Sequence, residues 1–207
     1  MEDSLAIVTS RIGSIAVIRF NNPAARNPLS TATLHELERI LSSMTVDDSV
    51  AALIFTGTND VFASGANIRE LARLNSISAL EFSKLGQRVM ETIANASQVT
   101  IAAINGYCMG GALDLALACD IRVASSSAVF AHPGARLGII TGWGGTQRLP
   151  RLIGRTRALE MFATARRIDS KQALRSGLVT RVADPVLDCA IATCREMPGL
   201  DSSLSLT

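Results

Sequence analysis

The chain has 207 residues, 48% hydrophobic and 18% charged, so it is long enough to bury a substantial core and is not of disordered composition. Its net charge of +2 and scattered basic residues give no electrostatic footprint for nucleic acid, and 4% aromatic residues are too few for base stacking. No apolar run reaches membrane-spanning length. Neither nucleic acid nor a membrane is therefore predicted as a partner.

The cysteines and the start of the chain predict a cellular compartment. The four cysteines are Cys108, Cys119, Cys189 and Cys194. They lack the spacing of a zinc site, which favours reduced thiols and no bound metal. Residues 1–4 are acidic and have no signal or transit character. We therefore predict a cytoplasmic protein.

Strand and helix patterns alternate along the chain and predict an α/β fold. Residues 5–9 and 14–20 predict a hairpin around Gly13, and Ser30 is a suitable N-cap for a helix that ends near residue 44. The other predicted elements are a strand over 50–56, a strand, glycine turn and helix start over 61–71, a helix from a Ser78–Glu81 capping box to about 96, a strand and helix over 99–120, strands over 121–124 and 128–131, a glycine-rich loop over 133–147, helices over 146–153, 156–165 and 170–176, a strand over 178–182 and a helix after Pro185.

The stretch from residue 99 to 120 carries the first functional signal. An apolar run of strand length leads to Asn105, and Gly110 and Gly111 then open an apolar helix. The first N–H groups of a helix lack partners within the helix and lie at its positive end, so they suit a carbonyl oxygen that becomes negative. Asp114 follows one helical turn later. This predicts a pocket for an electrophile with an acid/base group beside it.

A second glycine turn before a helix lies at Gly65 and Ala66. Acyl chemistry on a thioester needs two convergent N–H donors at the reacting oxygen. Two such turns in one α/β domain therefore favour acyl chemistry more than either turn alone. The chain lacks a complete dinucleotide-binding or serine-hydrolase motif.

Several motifs in order resemble the crotonase (enoyl-CoA hydratase/isomerase) family. They cover residues 62–68, 105–116, 119–120 and 144–149. The match extends from residues 22–23 to residues 177–179. The resemblance implies a ClpP/crotonase-like spiral of ββα turns, an acyl-CoA substrate of fatty acid metabolism or β-oxidation, and a homotrimer or hexamer.

The resemblance also implies positions for the substrate. The thioester oxygen would lie at the amides of Ala66 and Gly111, in an oxyanion hole. The remaining implied binding residues are Ala24, Ala25 and Arg26 near the adenine end of coenzyme A, Asn67, Ile68 and Arg69 near the thioester, and Gly110, Pro133, Gly134 and Trp143 around the acyl group. No cofactor is implied beyond the coenzyme A of the substrate.

The carboxylates leave the reaction open. Hydratases of this family carry two catalytic glutamates. At the two matching positions this chain has Asp114 and Gly134, so it keeps only one of the two carboxylates. Hydration or isomerisation of an enoyl-CoA through Asp114 is the first hypothesis. Water or a small anion near Gly134 would stand in for the missing carboxylate, as in synthases of the family that have glycine there, although those carry an aspartate where this chain has Thr141.

Three further hypotheses remain open. In the first, the chain is a non-catalytic acyl-CoA-binding or interaction protein. In the second, it performs another crotonase reaction such as decarboxylation. The third concerns the role of a histidine. His132 is either a substitute base or a structural histidine.

We divide the chain into a crotonase core over 1–184 and a shortened C-terminal helical segment over 185–207. The shortened segment is expected to leave apolar surface uncovered and to alter assembly.

Overall fold

The computed structural model describes residues 5–197. Its strands are β1 (Ile7–Ile12), β2 (Ile15–Phe20), β3 (Pro28–Leu29), β4 (Ala52–Thr56), β5 (Val61–Ala63), β6 (Gly65–Ala66), β7 (Val99–Ile104), β8 (Tyr107–Met109), β9 (Ile121–Ala124), β10 (Val129–Ala131), β11 (Ile168–Asp169) and β12 (Arg181–Val182). Its α-helices are α1 (Thr31–Met44), α2 (Ile68–Leu71), α3 (Ser76–Ala94), α4 (Gly111–Ala118), α5 (Gly145–Ile153), α6 (Arg155–Thr164), α7 (Ser170–Ser176) and α8 (Val186–Arg195). Short 3₁₀ turns cover Pro23–Ala25 and Pro133–Leu137.

The strands form two principal sheets. One has six strands in the order β1-β2-β4-β7-β9-β12, and the other has four in the order β11-β10-β8-β5. β1 and β2 form the predicted antiparallel hairpin, and the remaining pairs of the six-stranded sheet are parallel. Successive strands alternate between the two sheets, from β4 to β5, β7 to β8 and β9 to β10. This arrangement is the predicted α/β spiral of ββα turns.

Apolar side chains cover both faces of the six-stranded sheet. On one face, Phe20, Leu53 and Phe55 pack in a core with residues of α1, α3 and α4. On the other face, α8 packs Val186, Ala190 and Cys194 against β2, β4, β7 and β9. The first part of the predicted C-terminal segment thus covers the core sheet. Residues 198–207 of that segment lie outside the described residues.

Several sequence-based element assignments were wrong in detail, and the two-residue strands β3 and β11 were not predicted. The capping box of α3 joins Asn75 and Ser78 rather than Ser78 and Glu81, because the Asn75 side chain accepts from the Ser78 N–H. β8 was missed, since three residues carry the chain from one sheet to the other before the helix begins. The last strand covers only two residues, because the Leu178 N–H donates to Ala173 O and closes α7.

Arg122 stabilises the end of α4. Its buried guanidinium donates to Leu178 O at 2.9 Å and to Cys119 O at 2.6 Å, and a cation suits the negative end of a helix. We expect Arg122→Met to lower the free energy of unfolding by roughly 3 kcal/mol, because hydrogen bonds to a charged donor contribute about 1.5–3 kcal/mol and the carbonyls would remain buried.

Urea denaturation measures this change. The matched control is Arg11→Met, which removes an exposed arginine paired with Asp47 and should cost less than about 1 kcal/mol. Equal losses for the two variants would contradict the role of Arg122.

No helix within residues 5–197 is long and apolar enough to cross a bilayer.

Candidate active site

Three neighbouring strands of the four-stranded sheet end at the same place. β5 and β10 both pair in parallel with β8, and Ala131 lies opposite Met109. Carboxyl ends of parallel strands meet at one edge of a sheet, where ligands commonly bind. The residues that follow the three strands, 64–66, 110–111 and 132–134, are therefore brought together.

The two glycine turns lie against each other. Gly65 has φ +84°, and a Cβ there would lie 2.9 Å from the Gly111 nitrogen and 2.5 Å from the Met109 oxygen. Only glycine fits this backbone conformation and this approach. Gly111 begins α4 after Gly110, which provides no side-chain cap for the helix. Ala66 and Gly111 both line the same cavity.

The cavity has a volume of about 520 Å³ and a largely apolar wall. Trp143 is buried on one side of it, 5.3 Å from the Phe82 ring between ring centroids. A Cβ at Gly86 would lie 2.2 Å from the indole, and one at Gly111 2.3 Å from it, so two glycines make room for this side chain. The other apolar residues of the wall include Ile68, Leu71, Leu74, Leu137, Ile139, Ile140, Leu159 and Phe162.

Asp114 is fully buried in α4, close to the first turn of α5. A Cβ at Gly145 would lie 2.0 Å from its Oδ1 atom, so glycine is needed there. The Thr141 hydroxyl donates to Oδ2. Burial raises the pKa of Asp114 to about 7, against the opposing effects of Thr141, the Trp143 and Gly145 amides and Arg148. The carboxyl is therefore able to hold or release a proton near neutral pH.

His132 lies beside Asp114. Its Nε2 atom is 3.3 Å from Asp114 Oδ1, within the distance of an ion pair, and neither atom makes a hydrogen bond among residues 5–197. Burial lowers the pKa of His132 to about 4, which favours the neutral imidazole. The ring also contacts Phe162, with ring centroids 4.9 Å apart, and forms part of the cavity wall.

Gly134 lines the cavity, but no space lies where its side chain would be. A Cβ there would approach the Ile139 oxygen to 2.5 Å. The Ile139 N–H donates to the Gly134 oxygen, which folds the loop back onto this position. A water or anion that replaced a carboxylate would therefore have to occupy the cavity beside Gly134, and not a void left by the missing side chain.

The other predicted binding residues divide into two groups. Pro133, Gly110, Ile68 and Trp143 line the cavity together with Gly134. Five other residues are not part of its wall: Ala24, Ala25 and Arg26, which lie exposed on or next to a 3₁₀ turn, and Asn67 and Arg69 at the beginning of α2.

The cavity wall also contains Phe82, Phe162 and Thr141, which the sequence pattern does not predict as pocket residues. Phe82 belongs to the apolar face of a helix, and that pattern does not distinguish core from pocket. For Thr141, the sequence shows only that the loop carries no acid at this position. Within residues 5–197 no three side chains of the metal-binding types are grouped to hold an ion.

The Thr141 hydroxyl should set the pH at which Asp114 titrates. We expect Thr141→Val to move the rising limb of any pH–rate profile governed by Asp114 to higher pH by about one unit, because a donor that stabilises the carboxylate is lost. The matched control is Thr92→Val, whose exposed hydroxyl donates to the Arg88 carbonyl within α3. An unchanged profile in Thr141→Val would show that the hydroxyl does not act on Asp114.

Known proteins match nearly the whole chain. The sequence profile of a family described as enoyl-CoA hydratase/isomerase matches residues 10–202. The short-chain-enoyl-CoA hydratase of Clostridium acetobutylicum is 39% identical over 180 residues, which are 86% of this chain and 69% of the relative. The crotonyl-CoA hydratase of Syntrophomonas wolfei is 41% identical with the same coverage. The crystal structure of an enoyl-CoA hydratase from Bacillus anthracis superposes with a TM-score of 0.87 at 36% identity and covers 91% of this chain and 74% of that one.

Proposed function

The chain belongs to the enoyl-CoA hydratase/isomerase family, and from this membership we propose that it hydrates or isomerises an enoyl-CoA thioester. The observation that carries the proposal is the buried Asp114, with a pKa of about 7, three residues after the glycine that would hold the thioester oxygen. Both reactions move a proton at the carbon next to the thioester, and both pass through a negatively charged thioester oxygen.

The amides of Ala66 and Gly111 would hold that oxygen. Both residues line the cavity, and Gly65 brings the two turns within van der Waals contact. The Gly111 amide also lies at the positive end of α4, which favours negative charge on the oxygen. Because these donors are backbone groups in fixed positions, they do not reorganise when the charge develops.

The cavity wall supports a short acyl chain as substrate. The Trp143 indole fills the space between Gly86 of α3 and Gly111 of α4 and contacts the Phe82 ring. We infer that these two rings limit the length of the acyl chain. Two similar proteins are named short-chain-enoyl-CoA hydratase and crotonyl-CoA hydratase, in agreement with a four-carbon acyl group.

Coenzyme A would extend from the cavity mouth along Asn67 and Arg69 towards Ala24, Ala25 and Arg26. All five residues are at least partly exposed, and Glu70 of α2 accepts from the Thr31 N–H, which joins α2 to the beginning of α1. We also propose that water or a small anion in the cavity beside Gly134 replaces the missing second carboxylate.

Assembly and location are further parts of the proposal. Apolar side chains near the cavity mouth are strongly exposed, with Ile140 at 70% and Leu159 at 60%, which supports a homotrimer or hexamer that covers them. All four cysteines are free, which supports a reduced compartment such as the cytoplasm. Light scattering coupled to size-exclusion chromatography measures the assembly.

A turnover assay tests the reaction. The wild-type protein is incubated with crotonyl-CoA, a 3-enoyl-CoA and a branched acyl-CoA, and the products are identified by mass spectrometry. We expect hydration of crotonyl-CoA, isomerisation of the 3-enoyl-CoA, or both. Binding of all three thioesters without turnover would contradict the proposal and favour a non-catalytic acyl-CoA-binding protein.

A further inference from the structure

His132 and Asp114 form a pair whose geometry differs from that of a carboxylate acting directly on substrate. No part of the Asp114 side chain is exposed, whereas His132 forms part of the cavity wall. The nearest Asp114 oxygen lies 3.3 Å from His132 Nε2. The imidazole therefore connects the buried carboxyl group to the cavity wall.

We propose that His132 is the residue that exchanges the proton with the substrate, and that Asp114 acts through it as a positioning residue that stores the proton. This inference rests on the proposed function and adds to it a second residue, whose imidazole takes over the contact with the substrate. Among residues 5–197, Nε2 is a buried nitrogen without a hydrogen-bond partner, and the His132 side chain lines the cavity. In this proposal the other ring nitrogen, Nδ1, meets the substrate.

The proton transfer balances without a further reactant. In the isomerisation, Nδ1 takes a proton from the α-carbon, and the C–H electron pair forms a dienolate whose negative oxygen lies at the Ala66 and Gly111 amides. At the same time the Nε2 proton passes to Asp114 Oδ1. The reverse transfer then delivers a proton from Nδ1 to the γ-carbon, which restores the carbonyl and leaves the double bond next to it.

Hydration uses the same pair with water as the second reactant. The water oxygen bonds to the β-carbon, one of its protons passes to Nδ1, and the alkene electrons move to the thioester oxygen. The proton held by the pair is then delivered to the α-carbon. In both reactions the pair gains one proton and loses one proton, so it returns to its initial state.

The burial of the pair favours this relay over a separated ion pair. Burial lowers the pKa of His132 and raises that of Asp114, so an imidazolium is disfavoured and a neutral carboxylic acid is favoured. When one proton enters at Nδ1 and another leaves at Nε2, the imidazole remains neutral throughout.

Other groups near the pair act on the carboxyl. The Thr141 hydroxyl and Arg148 both lower the pKa of Asp114. Burial, and then the charge of Asp114, raise the pKa of the Cys108 thiol. His132 itself packs against the uncharged ring of Phe162. In this proposal the pair exchanges one proton near neutral pH, and the apparent pKa belongs to both residues together.

The first test compares His132→Gln with His35→Gln, which changes the only other histidine, an exposed residue of α1. Glutamine keeps a polar nitrogen near the Nε2 position, so a purely structural contact with Asp114 would be retained. We expect kcat of His132→Gln to fall by about 100-fold or more, with KM changed by less than about threefold and the rising limb near pH 7 abolished. His35→Gln should behave as wild type.

The second test needs no turnover. The two histidine rings are labelled with ¹⁵N and followed by NMR from pH 5 to 9 in wild type and in Asp114→Asn. We expect the His132 nitrogens to shift with an inflection near pH 7 in wild type and to lose it in Asp114→Asn, with His35 as the internal reference. The same His132 titration in both proteins would overturn the pair.

The outcomes separate the two proposals. Loss of turnover in Asp114→Asn with full turnover in His132→Gln would overturn the role of His132 and leave the proposed reaction intact. A wild-type protein that turns over none of the thioesters would refute the proposed reaction, while the NMR titration would still decide whether the pair shares a proton.

Discussion

Replacing Asp114 by asparagine should lower kcat by about 10²–10⁴-fold and leave acyl-CoA binding almost unchanged, because the variant loses the acid/base group but keeps the shape of the side chain. The Thr141 hydroxyl still finds an oxygen acceptor in the amide. Stopped assays of product formation give kcat, and isothermal titration calorimetry with a saturated acyl-CoA gives the dissociation constant.

The control for this variant is Asp188→Asn, which changes an exposed carboxylate in the first turn of α8. It should retain wild-type kcat. Thermal denaturation of both variants shows whether they are folded. If folded Asp114→Asn retained kcat within about threefold of wild type, no acid/base role could be assigned to Asp114.

Replacing Gly65 by alanine should have an effect of similar size through the oxyanion hole. The added Cβ would meet the Met109 oxygen and the Gly111 nitrogen, and the left-handed backbone conformation of Gly65 disfavours any side chain. Displacement of one oxyanion donor costs roughly 3–4 kcal/mol of barrier, which corresponds to a fall in kcat of about 10²–10³-fold. Steady-state kinetics on crotonyl-CoA measures the loss.

Gly13→Ala provides the matched control. Gly13 also has a positive φ, of +60°, but a Cβ there would meet nothing within 4 Å, and it lies in the hairpin between β1 and β2. Both variants introduce backbone strain, whereas only Gly65→Ala disturbs the proposed oxyanion hole. Equal kcat values for the two variants would mean that the contact of the two glycine turns has no part in the reaction.

The glycine turns and the family were predictable from the sequence for a local reason. Gly65 lies between β5 and α2, and Gly111 begins α4 after β8 and Gly110. A glycine where a strand leads into a helix leaves backbone amides accessible in any α/β fold. Their meeting in space requires β5 and β8 to be neighbours. The resemblance implied only that both amides hold one oxygen. The amphipathic pattern and N-cap of α1 were similarly local, and its predicted bounds were confirmed.

The contact between His132 and Asp114 could not be predicted, because it depends on strand register. Parallel pairing places Ala131 opposite Met109, so that residue 132 approaches the first turn of α4. The sequence alone does not specify this register. The lack of side-chain space at Gly134 was equally hidden, since it results from a carbonyl five residues further along a loop.

The exchange of an α-proton in D₂O tests the central claim most directly. Butyryl-CoA has no double bond to hydrate or isomerise, so a gain of mass at its α-carbon reports only proton removal beside a stabilised thioester oxygen. We expect wild type and Gly13→Ala to incorporate deuterium, and Asp114→Asn and Gly65→Ala to do so at least about 100-fold more slowly. Butyryl-CoA that binds to the wild-type protein without exchange would contradict the account.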